Sequence, residues 1–235
     1  QLFIVSLSLI IYIEPITMNL FSAPVSYEKY IPLIICFLLV FILISWMWII
    51  NLYNFMDGID GLTALQVCTV AVCTNFLSIL GYINEEYQYF SLILFSVYLA
   101  FYQFNQSPAK IFLGDVGSIP SGYLVGFIMI SCLLTNGILL PIVIVNMYYI
   151  LDSSITLLIR FYKRDNVLEA HSDHFYQKMI RKGYQHSYVI KWIFALNSIL
   201  LILSLLSMKL PIISSIFSIL LTTALLYLFY AKKEI

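Results

Sequence analysis

Two aspartates three residues apart, Asp57 and Asp60, stand in the stretch Asn51-Leu-Tyr-Asn54-Phe-Met-Asp57-Gly58-Ile-Asp60-Gly61. The runs on either side, 31–50 and 62–83, contain no charged residue. Carboxylates at the edge of a bilayer cost roughly 2.5–3.5 kcal/mol each unless they are hydrated or paired. A chain that places two there has a use for them. If the stretch is helical, the spacing puts both carboxylates on one face, and Asn51 and Asn54 repeat it with neutral donors and acceptors. Gly58 and Gly61 remove side chains where a ligand or another backbone must come close. A second acid, Asp115, sits in Phe112-Leu-Gly-Asp115-Val-Gly-Ser118, with Lys110 five residues before it. Three carboxylates on one membrane face suit a hard cation such as Mg2+, which takes one or two carboxylates plus substrate phosphates. The plain alternatives are a hydrated loop of turn formers for the first stretch and a capped helix start for the second.

Two further groups extend the candidate site. Asp152 lies well inside an apolar segment, where an ionisable residue is a functional candidate by default; a structural acid bonded by Ser153, Ser154 or Thr156 is the equal alternative. His171 and His174, again three apart, lie in the loop 160–191 among Arg160, Lys163, Arg164, Lys178, Arg181 and Lys182. Imidazole and basic side chains together gather phosphate. Arg164 and Lys110 join His171, His174 and Asp152 as candidates for substrate binding. A basic loop beside a membrane also arises for topology alone. His186 stands by itself and is read as incidental.

The elements that must position these residues are membrane helices. Of 235 residues, 62% are hydrophobic and 10% charged, against about 25% charged in soluble domains. Lipid leaves the backbone few options besides helix. Eight apolar segments are legible: 2–13, 31–50, 62–83, 89–104, 122–135, 138–159, 192–208 and 210–230. The fifth and sixth come from one uncharged run divided at Asn136-Gly137. This predicts an all-α, polytopic integral membrane protein in a single domain over 1–235. If the Asn51 stretch faces the cytoplasm, alternation puts ten of the twelve basic residues there, all but Lys29 and Lys209, and the C-terminus with them. Asn84-Glu85-Glu86 then falls on the outer side as a solvated turn. The four cysteines (Cys36, Cys68, Cys73, Cys132) all lie in apolar runs and read as small hydrophobes. The opening run would span only about 18 Å, short of the roughly 30 Å of a bilayer core. The chain is therefore expected to begin partway through a longer protein.

Three motifs, 51–61, 112–118 and Ala170-His-Ser-Asp-His-Phe-Tyr-Gln177, occur in this order on one expected face. Together they resemble the polyprenyl-phosphate N-acetylhexosamine-1-phosphate transferases of glycosyltransferase family 4, related to the phospho-N-acetylmuramoyl-pentapeptide transferases. The His-x-x-His-x-Tyr-Gln form is most similar to the branch that initiates bacterial O-antigen. The resemblance implies transfer of N-acetylhexosamine-1-phosphate from a UDP-sugar to undecaprenyl or related phosphate, with release of UMP and a need for Mg2+. It implies Asp115 as the magnesium-binding aspartate. Asn51, Asn54, Asp57 and Asp60 would form the catalytic stretch, and His171 and His174 would lie near the sugar nucleotide. The setting would be the bacterial inner membrane, with membrane lipids around the chain, no nucleic-acid partner and homodimerisation left open. The family also carries an Asp-Asp pair upstream; before Ile50 the only acids are Glu14 and Glu28. That fits a family member without its N-terminal helices.

Two other readings stand beside this one. The first is a truncated, catalytically inactive membrane homologue. The second is an ion-coupled transporter, disfavoured because transporter acids sit near the bilayer midplane on interrupted helices.

Overall fold

The computed structural model describes residues 1–9, 31–166, 169 and 171–234; among them the chain is all helical, with no strand. Residues 2–9 are helical, and the rest of the opening segment, with Glu14, Glu28 and Lys29, lies outside the described residues. The helices that follow are α1 (Ile31–Phe55), α2 (Leu62–Ile79), α3 (Glu86–Asn105), α4 (Gly114–Asn136), α5 (Leu140–Val145), α6 (Met147–Lys163), α7 (Phe175–Arg181), α8 (His186–Leu206) and α9 (Pro211–Ala231). By length and composition α1, α2, α4, α8 and α9 can each cross a membrane. Leu33, Phe37, Ile93 and Ile212 stand on outer faces with most of their surface exposed, as lipid-facing residues do. The four cysteines are free thiols.

The division at Asn136-Gly137 matches the structure: α4 stops at Asn136 and Gly137 turns the chain in the left-handed region at φ 69°. The segment 138–159 is not one helix. It breaks at Asn146, whose Nδ2 bonds back to the Ile142 carbonyl (2.8 Å) while its Oδ1 accepts from Tyr53 Oη (2.7 Å) and Gln66 Nε2 (3.2 Å). Gln66 also donates to the Val145 carbonyl (2.9 Å) and accepts from Asn197 Nδ2 (2.9 Å). One buried amide network thus ties α1, α2, the α5–α6 junction and α8. Backbone groups freed by the break find partners inside the protein, as a lipid-embedded chain requires.

The most extensive pairings are α2 with α3 and α1 with α4. The second is a close backbone approach. A Cβ at Gly122 would meet Ile50 Cα at 2.6 Å and the Ile49 carbonyl at 3.0 Å, and one at Gly126 would meet the Trp46 ring at 2.4 Å. Small residues four apart are the usual means by which membrane helices approach. This contact fixes α1, with Asn54, against the N-terminal end of α4, with Asp115. We expect Gly122→Val to lose about 1–3 kcal/mol by overpacking, seen as a lower unfolding temperature in detergent. An unchanged temperature would mean that the helices are not held at this point.

Candidate active site

Helix α1 runs through Asn51 and Asn54 and ends at Phe55, so Asp57 and Asp60 do not share a helical face as their spacing suggests. They lie in the irregular link 56–61, which closes at Gly61 in the left-handed conformation (φ 78°) before α2 begins. The two carboxylates therefore diverge.

Asp57 turns toward α4. The Thr63 hydroxyl and the Gly114 backbone N–H lie close enough to favour its charged form, and the Asp115 carboxylate is near enough to repel it. Burial pushes the Asp57 carboxyl above the usual carboxylate range, the Asp115 charge adds to this, and the nearby Thr63 and Gly114 donors oppose it. Asp115 itself is exposed in the first turn of α4. Asn54 Nδ2 donates to Asp115 Oδ1 (2.9 Å) and to Ser118 Oγ (2.9 Å), locking the two motifs together. Asn51 turns its amide onto the Met47 carbonyl of its own helix (2.9 Å).

Asp60 turns the other way. Its Oδ2 accepts from the Ala109 N–H (3.1 Å), and its Oδ1 lies 3.2 Å from Nδ1 of His186, the first residue of α8. The Asn105 side chain completes this side, accepting from the Gly61 N–H (3.0 Å) and donating to the Ile111 carbonyl (2.8 Å). The link 106–113, with the exposed Lys110, is so pinned over the acidic turn. Asp57, Gly58, Ile59, Asp60, Asn105, Phe112, Leu113, Gly114 and His186 enclose a cleft of about 210 Å³.

The histidine motif docks against the same turn. His171 and His174 do not ride on a helix; His174 is the N-cap of α7, in a capping box with Gln177. Their rings stack at 5.1 Å, and His174 stacks on Tyr176 at 5.8 Å. Tyr176 Oη donates to the Phe55 carbonyl (3.1 Å) and occupies the space beside Gly58, where a Cβ would meet it at 2.3 Å. Burial, then the neighbouring His174 and Arg160, hold His171 below the ordinary histidine range, so its ring is neutral near pH 7. Asp152 is fully buried and accepts from His174 Nδ1 (3.1 Å), the Phe175 N–H (3.1 Å), Tyr148 Oη (3.2 Å) and Thr156 Oγ1 (3.3 Å). It stands behind His174 and sets that ring's position. Arg164 is exposed and ends α6 in the left-handed conformation at φ 61°.

Two features carry no motif in the sequence. One is His186, whose partner lies 126 positions away; only its place just ahead of an apolar run hints at a helix start. The other is Arg160, whose Nη1 bonds Asp173 Oδ2 (2.5 Å) and whose Nη2 bonds the Asn166 carbonyl (2.7 Å), fastening the histidine loop to α6. Among the basic residues of 160–191 its buried anchor role was invisible.

The oxygen-rich set of Asp57, Asp115, Asn54 and Ser118 has the chemistry of a hard-cation site. Asp60 does not join it, so the three-carboxylate arrangement reduces to two. No cluster of three or more His, Cys, Asp or Glu at metal-binding spacing occurs among the described residues. Two carboxylates match Mg2+, which keeps waters and substrate oxygens for its other positions.

Residues 1–133, which include the Asn51–Gly61 and Phe112–Ser118 motifs, match the profile of glycosyl transferase family 4. The chain belongs to that family. It is 33% identical over 133 residues to the phospho-N-acetylmuramoyl-pentapeptide-transferase of Lactococcus lactis subsp. cremoris, covering 54% of this chain and 38% of that protein. To the proteins of the same name from Clostridium beijerinckii and Streptococcus mutans it is 43% identical over 90 residues and 34% identical over 97. Those matches cover 37% and 40% of this chain, and 27% and 28% of the relatives. The chain thus spans less than two fifths of the length of these relatives. The family match stops before Asp152, the histidine loop and His186, which the fold alone brings to the site.

Proposed function

We propose that this family 4 protein transfers N-acetylhexosamine-1-phosphate from a UDP-sugar to a polyprenyl phosphate, releasing UMP, in the synthesis of O-antigen or another cell-envelope polysaccharide. The observation that carries this reading is the Asn54 bridge, which joins the two acidic motifs into one oxygen-lined site. Membership in the family and the names of the matched relatives support the same reaction class.

In this reaction an oxygen of the lipid phosphate attacks the β-phosphorus of the UDP-sugar. The bond from that phosphorus to the bridging oxygen breaks, and the bridging oxygen leaves with UMP. The nucleophile is already anionic, so the protein's task is positioning and charge compensation. Asp115 and Asp57 would hold Mg2+, which supplies positive charge to the phosphoryl oxygens when bound. Asn54 fixes the Asp115 rotamer. His174 is buried and held by Asp152, so it serves to position the loop, while His171, stacked on it and only half-buried, would suit the sugar nucleotide. Lys110 and Arg164 remain exposed and suited to its phosphates.

The distribution of basic residues supports a cytoplasmic setting for this end of the bundle, in a bacterial inner membrane. We expect reporters fused after Gly61, Ser118 or Gly183 to read as cytoplasmic, and those after Glu86 or Lys209 as the opposite side. A reversed reading at Gly61 or Ser118 would separate the site from its nucleotide substrate. The reaction itself is tested by a UDP-sugar labelled at the β-phosphorus. Transfer of phosphosugar carries the label into lipid with UMP as co-product; label appearing in UDP would mean sugar transfer alone and would overturn the assignment.

A further inference from the structure

We infer that His186 is a ligand-contacting residue of the acidic cleft, presenting its outer ring nitrogen, Nε2, to a phosphoryl oxygen of the bound substrate. The transferase reading supplies the identity of that substrate; the geometry comes from the fold.

Asp60, one of the two acids that the sequence singles out here, lines the cleft but has its carboxylate committed to protein partners. Both carboxylate oxygens are engaged, one by the Ala109 N–H and one by His186, and its side chain is only 11% exposed. The His186 side chain, at 34%, is the more open member of the pair. Its Nδ1 faces Asp60, 3.2 Å from Oδ1 and 3.4 Å from the backbone nitrogen, so it donates to the carboxylate when it carries a proton and accepts from the N–H when it does not. Among the described residues Nε2 has no partner. The ring is thus gripped at one nitrogen and left open at the other, the usual way in which a histidine is oriented for work.

The rest of the cleft explains what that nitrogen is for. Asp57 and Asp60 line it, with apolar side chains, two glycines and Asn105. The Asn105 amide is used at both ends, by the Gly61 N–H and the Ile111 carbonyl. His186 is therefore the lining side chain with an uncommitted nitrogen. When Nδ1 accepts from the Asp60 backbone, the ring proton sits on Nε2; when the ring is protonated, both nitrogens carry hydrogen. In both of these states Nε2–H is a donor into the cleft; with the single proton on Nδ1 and bonded to Asp60 Oδ1, Nε2 is an acceptor instead, so an anionic oxygen selects one of the first two. A phosphoryl oxygen entering between two carboxylates needs such a donor. The position of the ring is secured by α8, whose Val189, Ile190 and Ile193 are buried in the core just beyond it.

Two isosteric substitutions in the full-length protein separate a ligand contact from a mere anchor for Asp60. His186→Gln can place an amide N–H near the Nε2 position, and His186→Asn keeps a polar group near Nδ1 only. The probe is inorganic pyrophosphate with Mg2+, titrated by calorimetry against detergent-purified protein, followed by KM and kcat for the UDP-sugar. We expect His186→Asn to weaken pyrophosphate binding roughly ten- to hundredfold, the value of one hydrogen bond to a charged group. His186→Gln should stay within about threefold of wild type on the same reasoning. The UDP-sugar KM should rise in the Asn variant more than kcat falls. Binding to His186→Asn equal to wild type, whatever the affinity, overturns the inference, as does rescue by Asn and not by Gln. The pyrophosphate titration needs no turnover. A wild-type protein without transferase activity would refute the proposed reaction and leave this contact to be judged separately.

Discussion

Asp115→Asn is expected to lower turnover by roughly a thousandfold or more, while leaving the helices packed as they are. Charge that develops in phosphoryl transfer is stabilised mainly by cations and by placement, and losing one central group of such a set costs several orders of magnitude. The substitution removes one negative charge from a site that has only two. It changes little else, because the amide introduced there would still offer an oxygen to Asn54 Nδ2, which now bonds Asp115 Oδ1 at 2.9 Å. The residue stands at the open end of α4, so no buried packing is disturbed. Expression level and unfolding temperature in detergent should match wild type. Activity within tenfold of wild type at ordinary Mg2+ concentration would take Asp115 out of the charge-handling role.

The second large effect lies at Gly58, which is neither acid nor base. A methyl group there would lie 2.3 Å from Tyr176 Oη and 3.0 Å from Gln177 Nε2. Tyr176 is buried and tethered to the Phe55 carbonyl, so it has little room to retreat. The strain is relieved by moving α7, which carries His174 and His171 away from the acidic turn. A displacement of about 1 Å at a positioning group costs on the order of a hundredfold in rate. We therefore expect Gly58→Ala to lose about a hundredfold in kcat/KM. Tyr176→Phe, which removes the clashing oxygen, should restore part of it when the two are combined. Activities of the single variants that simply multiply in the double variant would show that the two residues do not interfere.

How much of this was legible in the residues differs from place to place. The membrane helices were, because lipid demands long apolar runs and the chain supplies them. The turn at Asn136-Gly137 was legible too, since asparagine followed by glycine suits a left-handed helix end. The break at Asn146 was not. It depends on Tyr53 and Gln66, which come from α1 and α2, and nothing local announces it. The candidate acids stood out by type and spacing, but the helical face assigned to Asp57 and Asp60 was not realised. The helix ends at Phe55, ahead of both acids, and the pair splits between two partners. Asn54 was recognised as polar and only in the fold becomes the bridge to Asp115. His186 escaped because a lone histidine has no spacing to read. Its significance lies wholly in the carboxylate that α8 meets.

The central claim, that this site joins a sugar phosphate to a lipid phosphate, is tested most directly by UMP formation. Membranes containing the full-length protein would be given a UDP-N-acetylhexosamine, Mg2+ and polyprenyl phosphate, with each omitted in turn. The account predicts UMP and a lipid-linked sugar in equal amounts, both requiring the lipid phosphate and both lost in Asp115→Asn. UMP release that proceeds equally well without polyprenyl phosphate, or none with any UDP-N-acetylhexosamine supplied, would contradict it.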